Sequence, residues 1–141
     1  MKGADFPTTM AAFTERFGSE EACRAYLIQQ RWPQGFRCSR CGHDRGTQLA
    51  AWDRWECRSC RNQASLVADT ALRGTRKPLR LWFLAMYLVT MSKGGISAKE
   101  LQRQLGLRAY QTAWTWLHKL RAAMVDPDRA LLEGEVEADE A

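Results

Sequence analysis

Apolar positions recur at a helical period near both ends of the chain and lose that period in the middle. Residues 8–16 carry a short helical pattern. A stronger one begins after Ser19, whose hydroxyl suits a helix N-cap, with Glu20 and Glu21 at the positive end of the helix dipole. Cys23, Tyr26 and Leu27 then share one face. This helix is expected to end near Arg31, because Trp32 precedes Pro33 and is steered out of helical angles. Thr47-Gln48-Leu49, Arg54-Trp55-Glu56 and Ala64-Ser65-Leu66-Val67 read instead as short strands.

From Leu79 the helical period returns. Leu81, Leu84, Ala85, Leu88 and Val89 are expected to line one broad inward face, widened by Trp82, Phe83, Met86 and Tyr87, until Gly94-Gly95 stops the helix. Ser97-Ala98-Lys99-Glu100 is a capping-box pattern that opens a short helix with Leu101 and Leu105 inward and Gly106 at its end. A third helix is expected from about Tyr110 to Met124, with Ala113, Trp116, Leu117, Leu120 and Met124 inward; Arg108 and Ala109 make a weak start for it. Helix, short helix, glycine turn and longer helix are the order of a helix-turn-helix DNA reader, although Gly106-Leu107-Arg108-Ala109 is slightly long for the tightest version. An ordinary three-helix bundle would show the same period, so periodicity alone does not separate the two.

The composition narrows the classes. A chain of 141 residues, 45% hydrophobic and 26% charged, can build a core and has room for one ordinary domain or two small lobes. Its longest nearly apolar run, Leu81 to Met91, is about half of a membrane span, and Met1 to Asp5 lack an apolar export segment. A secreted or membrane protein is thereby disfavoured and a cytoplasmic one expected.

Charge is unevenly spread. Residues 1–36 balance four basic against four acidic groups, whereas 37–80 hold ten basic and four acidic ones, and 81–125 hold six basic groups and Glu100. The last sixteen residues reverse the sign, with Arg129 against seven acids. A net charge of +11 over residues 37–125 attracts polyanions, nucleic acid being the commonest. With the third helix's apolar face inward, Gln111, Thr115, His118 and Lys119 are exposed, and Tyr110 and Trp114 lie at the margins. Gln111 can pair with an adenine edge, while Lys99, Arg103, Arg108 and Lys119 can hold phosphates; His118 is assigned no chemistry. The expected DNA-contacting set is Lys99, Arg103, Arg108, Tyr110, Gln111, Thr115 and Lys119.

Four of the five cysteines form two pairs, Cys38-Ser39-Arg40-Cys41 and Cys57-Arg58-Ser59-Cys60, fifteen residues apart. Two residues between thiols let a tight turn aim both sulfurs at one ion, and two such knuckles complete a tetrahedron around zinc. Gly42 follows the first knuckle, where a left-handed turn is easily made. Two disulfides are the alternative, which a reducing compartment disfavours. Four thiolates leave no open position on the ion, so the zinc is expected to be structural, and it lowers the charge of the middle to about +9. His43 is read as a surface or outer residue, not a ligand, and Cys23 as a buried thiol acting as a small apolar residue. Trp52 and Trp55 are expected to pack over the small metal-stapled core, not to stack on bases.

The chain closes with Glu133-Gly134-Glu135-Val136-Glu137-Ala138-Asp139-Glu140-Ala141, where Val136 and Ala138 alternate with acids as in a strand. A solvated acidic tail would carry the same charges. Taken with Cys38–Gly42, Trp55–Cys60, Leu79–Ala85, Gly95–Leu101 and Tyr110–Trp114, this closing run resembles the bacterial insertion-sequence transposases that carry an N-terminal zinc ribbon and a DDE catalytic domain. The likeness covers the chain in order from about residue 10 to the end. It implies a part that grips the terminal inverted repeats of an element, double-stranded DNA as partner, and Asp139 as the first carboxylate of an incomplete Asp-Asp-Glu set. It also implies magnesium only in a full-length parent, because two hard cations need several converging oxygens. A chain cut in the first strand of the catalytic domain is expected to bind DNA without cutting it, and so not to be an enzyme by itself. A homo-oligomer is left open, and a zinc-ribbon adaptor or transcriptional regulator is the competing function.

The expected fold is α+β: an N-terminal helical segment over 1–35, a four-cysteine zinc ribbon over 36–68, a basic connector over 69–78, a helix-turn-helix bundle over 79–125, and an acidic tail over 126–141 ending in the start of a strand.

Overall fold

The periodicities become eight elements in the computed structural model, which describes residues 6–49, 53–68 and 70–125. Trp52 and the whole acidic tail, with its strand-like run and Asp139, lie outside the described residues. Helix α1 (Met10–Phe17) starts at Thr9, whose Oγ1 accepts from the Ala12 amide at 3.2 Å. Helix α2 (Glu20–Arg31) starts at Ser19, which accepts from the Ala22 amide at 3.2 Å, and stops as Trp32 turns to φ −130°, ψ 72° ahead of Pro33. Strands β1 (Gly46–Leu49), β2 (Arg54–Cys57) and β3 (Gln63–Ser65) form an antiparallel meander in that order, with Gln48 opposite Trp55 and Trp55 opposite Ala64. Helices α3 (Leu79–Met91), α4 (Ala98–Leu105) and α5 (Tyr110–Ala123) follow. The fold is α+β, as expected.

Ser97 caps α4 by accepting from the Glu100 amide at 3.2 Å. The Glu100 carboxylate does not reach back to close the box; it accepts from Arg103 Nε at 3.0 Å and Gln104 Nε2 at 2.7 Å, donors one turn ahead and one of them charged. Gly106 ends α4 at φ 65°, and Leu107 donates to the Gln102 carbonyl at 3.0 Å while burying its side chain. Helix α5 has no side-chain cap at Ala109, in line with its weak start.

Helix α3 lies between two partners, and this changes which of its faces is inside. Phe83 and Tyr87 meet an aromatic cluster from α1 and α2, with Phe17–Phe83 and Phe13–Tyr87 ring centroids both 4.9 Å apart. Trp82 stacks on Trp116 of α5 at 3.8 Å and 19°. The buried residues of α3 are therefore Leu79, Trp82, Phe83, Ala85 and Tyr87, whereas Leu81, Leu84, Leu88 and Val89 are only half-buried at the margins. The expected leucine face is corrected to an aromatic one, because large rings gain most from burial and here have ring partners on both sides. Met124 is corrected too: at 59% exposure it lies beyond the inward stripe of Ala113, Trp116, Leu117 and Leu120. All five helices contribute to one continuous core, so the chain leaves it after α2, builds the ribbon, and returns at the connector.

Pro78 offers no side chain to cap α3, and a residue from elsewhere does so. The Glu20 carboxylate, on α2, accepts from the amides of Leu79 at 2.7 Å and Arg80 at 3.1 Å. This joins the two helices and places a negative charge at the positive end of α3. Glu20→Ala is expected to cost about 1–2 kcal/mol, the range for losing a charged cap, and Glu20→Gln less. Urea midpoints of the two variants check this; an unchanged midpoint for the alanine would contradict it.

Candidate metal centre and nucleic-acid interface

The two cysteine knuckles are the same turn made twice. Gly42 donates to the Cys38 carbonyl at 3.0 Å and Cys38 to the His43 carbonyl at 2.9 Å; Arg61 donates to the Cys57 carbonyl at 3.1 Å and Cys57 to the Asn62 carbonyl at 2.9 Å. Each turn needs a left-handed residue after its second cysteine: Gly42 has φ 73° and Arg61 φ 60°. The sequence advertises the first with glycine and gives no sign of the second, where Arg61 is instead held by Glu56 at 2.8 Å.

These turns bring Cys38, Cys41, Cys57 and Cys60 together with every sulfur within 4.8 Å of the others. Cys38 and Cys60 approach to 3.6 Å and Cys41 and Cys57 to 3.5 Å, near the edge of about 3.8 Å for a tetrahedron with zinc–sulfur bonds of about 2.3 Å. All five cysteines are free thiols, so the disulfide alternative falls. The donor set and its closure fit a four-coordinate zinc ion, which would cross-link the two knuckles and leave no position for substrate. His43 is outside the converging group. Amides of Cys41 and Arg40 aimed at its sulfur pull the Cys38 thiol down to about 6. The Asn62 amide acts the same way on Cys60, but desolvation and the neighbouring sulfurs outweigh it and push that thiol up to about 11.

Over the sulfurs, Phe36 stacks on Trp55 at 5.5 Å and 14°, and Trp32 closes on both rings. Trp55 is thus used in packing, as expected. The same cluster docks the ribbon on the end of α2, helped by the Arg24–Asp53 ion pair and by Arg31 Nη1 donating to the Ala68 carbonyl at 3.0 Å. Cys23 is fully buried; desolvation, with the Glu20 charge next, pushes its thiol up to about 11, which keeps it an inert apolar filler.

The cationic surface is elsewhere. The ribbon segment 36–68 holds six basic and three acidic residues, and four thiolates on a divalent ion would remove most of that excess. Residues 70–125 hold ten basic residues and one acid, Glu100. Lys99 and Arg103 are exposed on α4, Arg108 is exposed in the turn, and Gln111 and Lys119 are exposed on α5. Tyr110 is 50% exposed at the start of α5, and Thr115 is half-buried. The structure does not leave these groups equal. Arg103 grips the Glu100 carboxylate with two nitrogens and, with Gln104, holds that carboxyl down at about 2. Gln111, Thr115 and Lys119 line a cleft whose opposite wall is the connector, with Arg76 and Lys77. The connector's charge is plain in the sequence but its place beside α5 is not; the only hint is Leu72, an apolar residue inside a basic loop, which is buried in the helical core.

Residues 18–63 match a family described as the transposase zinc-ribbon domain, of the IS1595 type. The match includes α2, in keeping with the docking of ribbon and helix. A curated relative from Halobacterium salinarum, described as an uncharacterized protein in transposable element ISH50, is 29% identical over 127 residues. The aligned region covers 88% of this chain and 42% of the relative, so the chain spans well under half of that protein. No solved structure matches. Among the described residues no helix is long and apolar enough to cross a membrane. On the ribbon, its cysteines and the relative together, the chain resembles the N-terminal region of insertion-sequence transposases.

Proposed function

We propose that this chain is the DNA-binding portion of a transposase, holding the terminal inverted repeats of its element through α4 and α5. One observation carries the reading: the segment 70–125 holds ten basic residues and one acid, and it contains a helix pair whose second member turns Gln111, His118 and Lys119 to solvent. The resemblance of the ribbon to transposase ribbons supports it. In this reading α5 enters a major groove, Gln111 reads a base edge, and Lys99, Arg108 and Lys119 hold phosphates, with Arg103 available once it leaves Glu100. The parent protein would be of the DDE type, with Asp139 its first carboxylate and magnesium its cofactor.

The test is a mobility shift on duplexes carrying the element's ends, at about 0.1 M salt, where phosphate contacts make binding salt-steep. Replacing Lys99, Arg103 and Lys119 together by glutamate is expected to abolish the complex; unchanged affinity rejects the proposal. Gln111→Ala is expected to cost about 1–3 kcal/mol of discrimination against scrambled ends with little change in salt slope. A protein-docking adaptor is the competing reading, favoured by the half-exposed rings of Tyr110 and Trp114. It predicts that their removal leaves DNA affinity untouched.

A further inference from the structure

The connector between ribbon and helices is ordered by its own contacts. Leu72 is 4% exposed in the helical core, Thr70 Oγ1 donates to the Val67 carbonyl at 2.6 Å, and Gly74 turns at φ 73°. Thr75 is tied more firmly: its Oγ1 accepts from Trp82 Nε1 at 2.6 Å and from the Lys77 amide at 3.1 Å. Trp82 in turn lies flat on Trp116 of α5, ring to ring at 3.8 Å. A chain of contacts, Thr75 to Trp82 to Trp116, therefore sets the separation between the connector and α5.

The gap so defined is an open cleft of about 270 Å³, walled by Arg76 and Lys77 on one side and by Gln111, Thr112, Thr115 and Lys119 on the other. A second hollow continues along α5 past Lys119, with Arg73 on its connector side. Among the described residues no acid lines either one. Three cations, three threonine hydroxyls and a primary amide around one space are donors with no competing carboxylate among the described residues. The volume admits a phosphate group and several waters of about 30 Å³ each.

From this we infer that the connector–α5 cleft is a phosphodiester-binding subsite, which seats one backbone strand of duplex DNA beside the groove that α5 enters, with Thr75, Trp82 and Trp116 as positioning residues that set its width. The inference rests on the DNA-binding reading above and adds to it a second, non-helical wall. Phosphate held there would add affinity shared by every duplex sequence, without itself carrying sequence information.

The experiment uses the full chain, zinc-loaded, and compares binding of an end-sequence duplex with a random duplex over a range of salt. The double variant Arg76→Gln, Lys77→Gln touches only the connector wall and surface charge. It is expected to lower the log–log salt slope by nearly 2 and affinity at 0.1 M salt by roughly 50- to 100-fold, at about 0.9 per lost phosphate contact. The ratio of specific to random affinity should stay constant. Thr75→Val keeps every charge but removes the acceptor for Trp82; it should lower the slope by about 1, and Thr75→Ser should restore it, with thermal transitions recorded to show that each variant is folded. Unchanged slopes in variants that still bind duplex overturn the subsite and leave the helix-turn-helix reading standing. Displacement of the duplex by millimolar inorganic phosphate at constant ionic strength would make the cleft a free-anion site and also overturn it. A wild-type chain that binds neither duplex removes both.

Discussion

Stripping the metal is expected to unfold the ribbon while the helices survive. The ribbon's own core is small, Phe36, Cys38 and Cys57 with half-buried neighbours, and a structural zinc site contributes about 10–16 kcal/mol of apparent binding energy in lobes of this kind. The helical core holds eighteen buried residues and includes none of the four zinc thiols. Cys38→Ser, or a strong chelator, should therefore abolish the ribbon's contribution to the amide spectrum and release one zinc per chain, with the helical signal largely kept. The end of α2 should loosen with it, because Trp32 packs on Phe36 and Trp55. A metal-free protein with the native transition intact would refute this. Acid should act in the same direction. The four converging thiols must be deprotonated to hold a divalent ion, so protons compete with the metal for them and the ribbon it staples loses stability as pH falls. Cys60, pushed up to about 11, must give up its proton to bind metal, so zinc loading releases protons and weakens as pH drops.

Trp82→Ala is the second large effect. The side chain is 1% exposed, stacked on Trp116 and hydrogen-bonded to Thr75. Its truncation should cost about 3–5 kcal/mol, a large part of the roughly 5–15 kcal/mol by which ordinary domains are stable. Loss of the stack and of the Thr75 tie act on the same site, so their costs will not simply add. Trp82→Phe keeps a ring against Trp116 but loses the donor and part of the volume, and should lose less. Denaturant unfolding followed by helical signal distinguishes the two, and equal midpoints for wild type and Trp82→Ala would show that the stack is not a core element.

Several features are legible in the amino-acid order because they are local. A CxxC turn is a few residues of geometry, a Ser19 or Ser97 cap is one turn of helix, and the glycine after Leu105 ends a helix where only glycine does so cheaply. These are interactions within about four residues, and short patterns report them faithfully. Arg61 escapes such patterns, because a left-handed arginine leaves no compositional trace. Helix α3 misleads them: a helix packed on two sides has no single stripe, and the period cannot say which of Leu81 or Trp82 finds a ring to meet.

Residue type and short spacing are enough to give the elements, their order, the four cysteines that converge and the sign of the charge. Tertiary structure alone decided how those parts share work. It brought Glu20 to the start of α3 across 59 residues and laid the connector along α5 so that Arg76 and Lys77 face Lys119. The physical reason is that burial rewards any apolar surface that fits, without direction, so which distant surfaces meet is settled only when the whole core packs.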